Sequence, residues 1–526
     1  MTTLALALEL VLPPSVVAPN LFDEQATAQV RSYWQGQNRW QFGPRQIGSP
    51  WEAVATGRGS AWIHAYYRAR NPQGRILPTQ DPPARNAREQ AWDQWIEQAY
   101  RTDEQNAAII AAARNAGSPE PPLKNRPVIP ADLKALAGEP PLLVEARRPL
   151  RHTIQFDDYR VTFEEAPNVR RKYPYFRFED GVASSPSAAR AGMVAAMGQS
   201  GLSARDMRIF AAIAGLEGGF HSINTYDTGF VSVGFLQFAS LREGRGSLGQ
   251  LMARYKARQP QAFQRDFRRF GVDVTADGML VVLNLTDGIE RAGPDAALAI
   301  VRDKRLAAVF ERAGAISPQF QAAQIAAARD LYNPRTLPIS VSLPGRTLTG
   351  TAGDVIQSEA GLATLLDRLV NTGRVSDLSD AVSEVMLAYG LRTLAEARAA
   401  EYQIIERLTW RHNFLTSGSL SRPTDQSAML ANRARSAPPS LQGDLGTAPL
   451  DPTLGGVSVP GMNVAPNLSG NLGTLPPVGG TPRPAPTEAS ASKPASKPTK
   501  PEPAAEAQTA PPAQPRPRGP VTDPGT

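Results

Sequence analysis

The sequence predicts an α+β protein that is mainly α, and three observations carry that expectation. Most stretches between residues 187 and 422 place apolar residues three and four positions apart, the period of a helix. Two short alternating runs, 152–156 and 160–165, flank Asp157-Asp158 in the pattern of a β-hairpin. From residue 436 to 526 there is no Phe, Trp or Tyr, and Pro, Ala, Gly, Ser and Thr dominate. Such a stretch cannot bury enough apolar surface to offset the entropy of ordering it, so the tail is expected to be disordered.

A chain of 526 residues exceeds the roughly 250–300 at which a single core stops growing, so several units are expected. Residues 1–12 alternate Leu with smaller side chains. This reads as a strand rather than an export signal, because no Lys or Arg precedes it and Glu9 interrupts it. Six of the seven tryptophans precede residue 96 and mark 1–116 as a small mixed, β-containing unit. Within it, 34–67 reads as short strands and loops, and 84–116 as a helix. Its aromatics either stack on glycan rings or fill a small core. Eight prolines across 117–149 indicate an extended linker. Residues 150–186 hold the hairpin, with 173–178 a further strand. Residues 187–422 form the helical domain, with helices expected at 203–217, 246–258, 294–313, 318–332, 354–371 and 377–415. No run has the length needed to span a bilayer.

The formal net charge is +7 and the pI about 9.6, which suits polyanions. No basic stripe interleaved with aromatics occurs, so nucleic acid is not an expected partner. The basic residues from Arg242 to Arg269 are either a rim that attracts an anionic wall or a solvated helix face. With no cysteine, disulfides, thiolate metal sites and cysteine nucleophiles are excluded. The four histidines, at 64, 152, 221 and 412, lack metal-ligand spacing, so neither a catalytic metal nor a cofactor is expected.

One window carries chemistry. Ser203 can cap a helix, with Asp206 at the capping-box position, and Gly218-Gly219 can stop it. Phe210, Ile213, Ala214 and Glu217 share one face, which sets a carboxyl on the core side of the last turn. Burial and the negative helix terminus both penalise its ionised form, so its pKa should rise. A carboxylic acid still protonated near neutral pH is what glycoside cleavage needs to protonate the leaving oxygen. The alternative is a glutamate that reaches solvent and does nothing. Glu359 and Asp367, further on, read as exposed positions on scaffold helices.

The following residues, Phe220 to Phe238, include Asp227 and the segment Gly234-Phe235-Leu236-Gln237. A helix ending in Glu, a polar loop, and a Gly-apolar-apolar-Gln segment about twenty residues on together resemble the signature of the lysozyme superfamily. The likeness is to goose-type lysozymes and soluble lytic transglycosylases in particular. It implies a lysozyme-like domain over 187–422, a glycan cleft, Glu217 as general acid and Gln237 near the substrate. Many transglycosylases carry Ser after the Glu, where this chain has Gly218. Asp227 lies in the loop where goose-type hydrolases and the related chitosanases place a water-activating carboxylate, although Tyr-Asp-Thr-Gly is also a good turn sequence. His221, Asn224, Tyr226 and Phe235 are candidates for substrate contact, and core packing is an equal role for Phe235.

The resemblance implies cleavage of peptidoglycan or a related glycan, by hydrolysis or transglycosylation, in a bacterial or phage setting. Two alternatives remain. One is a chitosanase-like hydrolase, against which the basic stretch argues mildly. The other is an inactive structural or wall-binding component of a phage tail or injection apparatus. Without an export signal, the expected location is cytoplasmic or particle-delivered.

Overall fold

A computed structural model describes residues 17–44, 50–72, 76, 81–165, 173–184, 197–198, 201–409 and 411–436. The expected strand at 1–12 and the expected disordered tail from 437 onward lie outside these residues. Helix covers about 51% and strand about 15%, so the mixed, mainly helical class holds.

The first helix, α1 (Glu24–Gln35), starts where Asp23 accepts the Ala26 amide at 2.7 Å and buries Val30 and Trp34. Trp34 donates its indole N–H to the Phe270 carbonyl at 3.0 Å and meets Phe156 edge-on, with centroids 5.6 Å apart. It therefore belongs to the main core, with Ile154, Phe163 and Phe310. Trp62, Trp92 and Trp95 belong to a second core with Tyr66 and Tyr100. The tryptophan-rich unit expected over 1–116 is thus shared between two cores. Composition showed how many large side chains needed burying but not where the chain would carry them.

The segment 34–67, read as strands and loops, holds β1 (Trp40–Pro44), β2 (Glu52–Ala55) and most of α2 (Gly57–Arg70). Helix α3 (Ala87–Ala116) matches the expected one and ends on Gly117 at φ +64°. Residues 117–149 are not a free linker. They contain α4 (Ala131–Ala137) and β3 (Val144–Arg147), and β3 pairs antiparallel with β2. The buried carboxylate of Asp103 on α3 explains the docking. It takes the Arg126 guanidinium and the Leu143 amide, while Arg126 also donates to the carbonyls of Pro140 and Pro141. Prolines remove amide donors without removing carbonyl acceptors, and here the carbonyls hold the segment.

The hairpin forms as read. β4 (Leu150–Gln155) and β5 (Arg160–Glu164) pair with Ile154 opposite Val161, and β1 joins the other edge of β4. Residues 173–178 form a turn rather than a strand, with one isolated bridge from Phe176 to Asp227. Pro174 has no amide to donate to a ladder, and Tyr173, Tyr175 and Phe176 are all buried, so no alternation exists to make a two-faced strand.

Helices α5 (Ala204–Glu217), α6 (Gly246–Arg258) and α10 (Pro318–Leu331) follow the apolar period, with α7 (Pro260–Asp266), α8 (Pro294–Arg302) and α9 (Lys304–Ile316) between the last two. The helix expected over 294–313 breaks at Asp303, whose side chain caps α9 by accepting the Arg305 amide at 3.0 Å. The helix expected from 354 is the short α11 (Ala352–Val355) and then α12 (Glu359–Thr372), capped by Ser358. The stretch 377–415 becomes α13 (Leu378–Ala388), α14 (Leu394–Ala397) and α15 (Glu401–Leu408), interrupted at Gly390 with φ +62°.

Three sheets place strands within 187–422, which reads from sequence as purely helical. The first is a sheet of two-residue strands, β6 (Ala183–Ser184), β7 (Ile223–Asn224), β8 (Ser232–Val233) and β9 (Phe238–Ala239). The second orders β10 (Val272–Val274), β11 (Leu280–Leu283) and β12 (Glu290–Ala292), and the third is the hairpin of β13 (Pro338–Leu343) and β14 (Arg346–Thr351). Every residue of β10 and β11 is buried, so they lack the alternation that marks a half-exposed strand. No described helix is long and apolar enough to cross a membrane.

Candidate active site

Helix α5 is built as its sequence implies. Ser203 accepts the Asp206 amide at 3.1 Å, and the buried face consists of Ile209, Phe210, Ile213, Ala214 and Glu217. The helix stops because Gly218 adopts φ +135° and ψ −166°, a region that side-chain-bearing residues avoid. This backbone gives a reason for glycine rather than serine after Glu217.

Glu217 is 4% exposed, and its surroundings come from far along the chain. Its Oε1 accepts from Arg411 Nη2 at 2.5 Å and from Asn371 Nδ2 at 3.1 Å. The same Arg411 nitrogen reaches Asp367 Oδ1 at 2.6 Å, and Asn371 Nδ2 also lies 3.2 Å from that oxygen. Glu217 Oε2 is buried with no hydrogen-bond partner among the described residues. Two carboxyl groups thus share one guanidinium away from water. With both ionised the group would carry a net negative charge, and retaining one proton is the least costly relief. Burial pushes the Glu217 pKa up and the Asp367 charge adds to that, while Arg411 and Asn371 pull it down; the upward influences prevail.

Sequence reading missed this triad. Asp367 and Glu359, read as exposed, are both buried. Leu362, Leu365, Leu366, Leu369 and Val370 spread apolar side chains over most of α12, and every residue from Glu359 to Asn371 is buried, polar ones included. A charged residue amid such a run was the available signal for Asp367. Arg411 and Asn371 carried none, since nothing local ties them to Glu217. Glu359 instead receives Arg208, with Arg208 Nη2 2.5 Å from Oε1.

Asp227 is also buried. Its Oδ2 accepts from Asn224 Nδ2 and its Oδ1 from the Gly229 amide, both at 2.8 Å. Asn224 Oδ1 in turn accepts the Tyr226 amide at 3.0 Å. Burial pushes Asp227 up to about 6, against the hydrogen bonds from Gly229 and Asn224 and the charge of Arg177. Both oxygens serve the loop, the geometry of a turn former. No hydrogen bond joins Glu217 to Asp227 among the described residues. Tyr226 stands in electrostatic reach of both: burial raises its phenol first, and the two carboxylates add to the rise. Its ring packs 6.4 Å from Tyr173 and 6.2 Å from Phe176 in the second core.

Gly234 has φ +83°, and a Cβ there would fall 2.0 Å from Gln324 Oε1, so the position requires glycine. Gln237, at φ +50°, folds back to donate from Nε2 to the Gly234 carbonyl at 3.0 Å. Phe235 is fully buried among Phe210, Phe220 and Phe238 and presents no open face to a sugar. His221 is half-buried, and burial lowers its pKa. The loop is therefore an interlocked unit around the end of α5.

The basic stretch is largely neutralised. Arg245 pairs with Asp277, Arg254 and Arg258 with Asp330, Lys256 and Arg268 with Asp273, and Arg265 with Asp266. This favours an ion-paired surface over a free cationic rim. Among the described residues, no group of three or more His, Asp or Glu side chains is placed to hold a metal ion. A cavity of about 60 Å³ beside α5 is lined by Phe210 and Asp206, and another of about 420 Å³ lies against β1 and α8; Glu217 lines neither.

The chain matches no protein-family model, no curated protein and no solved structure.

Proposed function

We propose that the chain cleaves the glycan strands of peptidoglycan, with Glu217 as general acid on a lysozyme-like domain. The observation that carries this reading is the state of one carboxyl. Glu217 is buried at a helix end, its Oε1 is held by Arg411 and Asn371, and its Oε2 has no hydrogen-bond partner among the described residues. Burial favours the proton that such an acid must deliver, and Arg411 provides a cation to stabilise the carboxylate left after delivery. Oε2 is buried, so side chains have to move before a glycan reaches it. Asp227 is left out of the reaction because both of its oxygens are engaged in the loop.

A second reading has an observation of its own. At 4% exposure and paired to Arg411, Glu217 also suits an inactive domain in which the triad only holds α5, α12 and the 411 segment together. This is what a structural or wall-binding component of a phage tail or injection apparatus would show. Incubating the protein and Glu217→Gln with purified sacculi, followed by mass spectrometry of the soluble products, separates the two. Activity requires muropeptides from the parent and at least 100-fold fewer from the variant. Reducing ends denote hydrolysis and anhydro-sugars denote transglycosylation. No products from a folded parent that sediments with sacculi would establish the structural reading.

A further inference from the structure

Two buried atoms beside the candidate acid lack a partner, and they belong to side chains already bonded to one another. Glu217 Oε2 and Asn371 Oδ1 are both buried and accept no hydrogen bond among the described residues. The other arms of the two groups meet, with Asn371 Nδ2 donating to Glu217 Oε1 at 3.1 Å. A buried polar atom left unbonded is costly, and two of them on one bonded pair need a common cause.

A flipped amide is not that cause. Nδ2 also lies 2.7 Å from the Asp367 carbonyl oxygen and 3.2 Å from Asp367 Oδ1. Three oxygens surround the position, so it belongs to the donor, and Oδ1 stands on the other arm. Nor does a neighbour supply the missing hydrogen. Arg411 Nη2 is directed at Glu217 Oε1 and Asp367 Oδ1. Tyr226 and Tyr332 stand within electrostatic reach of Glu217, and neither bonds its Oε2.

A proton on Glu217 itself satisfies both atoms. Oε1 already accepts from Arg411 and Asn371, which leaves Oε2 to carry it. A protonated Oε2 becomes a donor, and Asn371 Oδ1 is the acceptor on the matching arm of the carboxamide. Acid and amide joined at both arms close a ring of two hydrogen bonds. The Nδ2 bond by itself favours the carboxylate, whereas the Oδ1 bond exists only with the acid. Asp367 Oδ2 is not among the buried atoms without a partner, so it has no such need of the proton. With Glu217 neutral, Arg411 faces a single carboxylate and the buried group carries no net charge. We propose that Asn371 is a positioning residue for the acid, its Oδ1 accepting the proton that Glu217 carries on Oε2 while its Nδ2 holds Oε1. Delivery of that proton to a glycosidic oxygen rests on the cleavage reading; its resting place does not.

Proton NMR of the full chain, with 15N in the asparagine side chains and no glycan present, reads the proton directly. At pH 7 the parent should show a resonance downfield of the amide and indole hydrogens, with cross-relaxation to one asparagine carboxamide. That resonance should vanish in Glu217→Gln and in Asn371→Leu. It should remain in Glu311→Gln, which removes the other glutamate that burial pushes up, to about 7. The cross-relaxation is read in the parent, so it stands even if the Asn371 variant fails to fold. Absence of the resonance from the parent, its persistence in Asn371→Leu, or its loss in Asp367→Asn but not in Glu217→Gln overturns the proposal. A parent that releases muropeptides without this resonance would refute the proton's place and leave the cleavage reading intact. A parent with the resonance and no muropeptides would do the reverse.

Discussion

Replacing Arg411 by Met tests the charge arrangement around Glu217 most directly. The guanidinium nitrogen lies 2.5 Å from Glu217 Oε1 and 2.6 Å from Asp367 Oδ1, with both carboxyl groups buried. At an effective dielectric of about 20, unit charges about 4 Å apart interact by about 4 kcal/mol, and Arg411 faces two. Much of that offsets the cost of desolvating the three groups. Removing one partner from a buried pair costs about 3–5 kcal/mol in net terms, because the other charge remains buried. Met keeps the length and apolar stem, so the loss isolates the charge. Without the cation, the folded-state pKa of Glu217 rises beyond its already raised position. A carboxyl raised on folding costs nothing below its unfolded pKa of about 4.3 and destabilises increasingly as pH climbs toward the folded value. Guanidinium denaturation should therefore show a small deficit for Arg411→Met at pH 4 and about 3–5 kcal/mol at pH 8. Adding Asp367→Asn should recover part of the pH 8 loss. Equal deficits at pH 4 and pH 8, or less than about 1 kcal/mol at pH 8, would refute the shared-cation argument.

Other positions give independent checks. Gly234→Ala forces a side chain into φ +83° and against Gln324, and should cost about 1–3 kcal/mol or more in chemical denaturation. Glu311 is buried with its Oε2 unpartnered among the described residues, and burial pushes it up to about 7 despite a hydrogen bond from Ser184. Its raised folded pKa means that stability is lost as pH rises from about 4.5 to 7. The stability of Glu311→Gln relative to the parent should thus increase by about 3 kcal/mol between pH 4 and pH 8, and a pH-independent difference would contradict this. Trp34→Ala should cost about 3–5 kcal/mol of the main unfolding transition, because Trp34 packs in the core that holds Phe270. A change confined to a separate early transition would show instead that α1 melts on its own.

Much of the local architecture was legible. Ser203, the apolar stripe through Glu217 and the glycines after it state where α5 begins, which face it buries and where it stops. The hairpin around Asp157-Asp158 was equally plain, because period-two alternation and a turn leave few alternatives. The β13–β14 hairpin carries a local signal too: Ile339 and Val341 alternate with serines before Pro344-Gly345, between helical neighbours. The strands Val272–Val274 and Leu280–Leu283 were harder, since a short run buried on every side has no period to detect.

For the candidate site, the sequence by itself determined that a glutamate would end a helix on its apolar side, with a glycine stop and a polar loop after it. Those outcomes depend on neighbours within a turn or two, and short-range sterics and hydrogen bonding decide them. Only the tertiary structure brought Asp367, Asn371 and Arg411 to Glu217, across 150 or more positions of chain. It also turned Phe235 into the core and closed Asp227 into its turn. The physical reason is that a buried charge must be met by whatever group the packing of distant elements delivers, and the local pattern states the need without naming the partner.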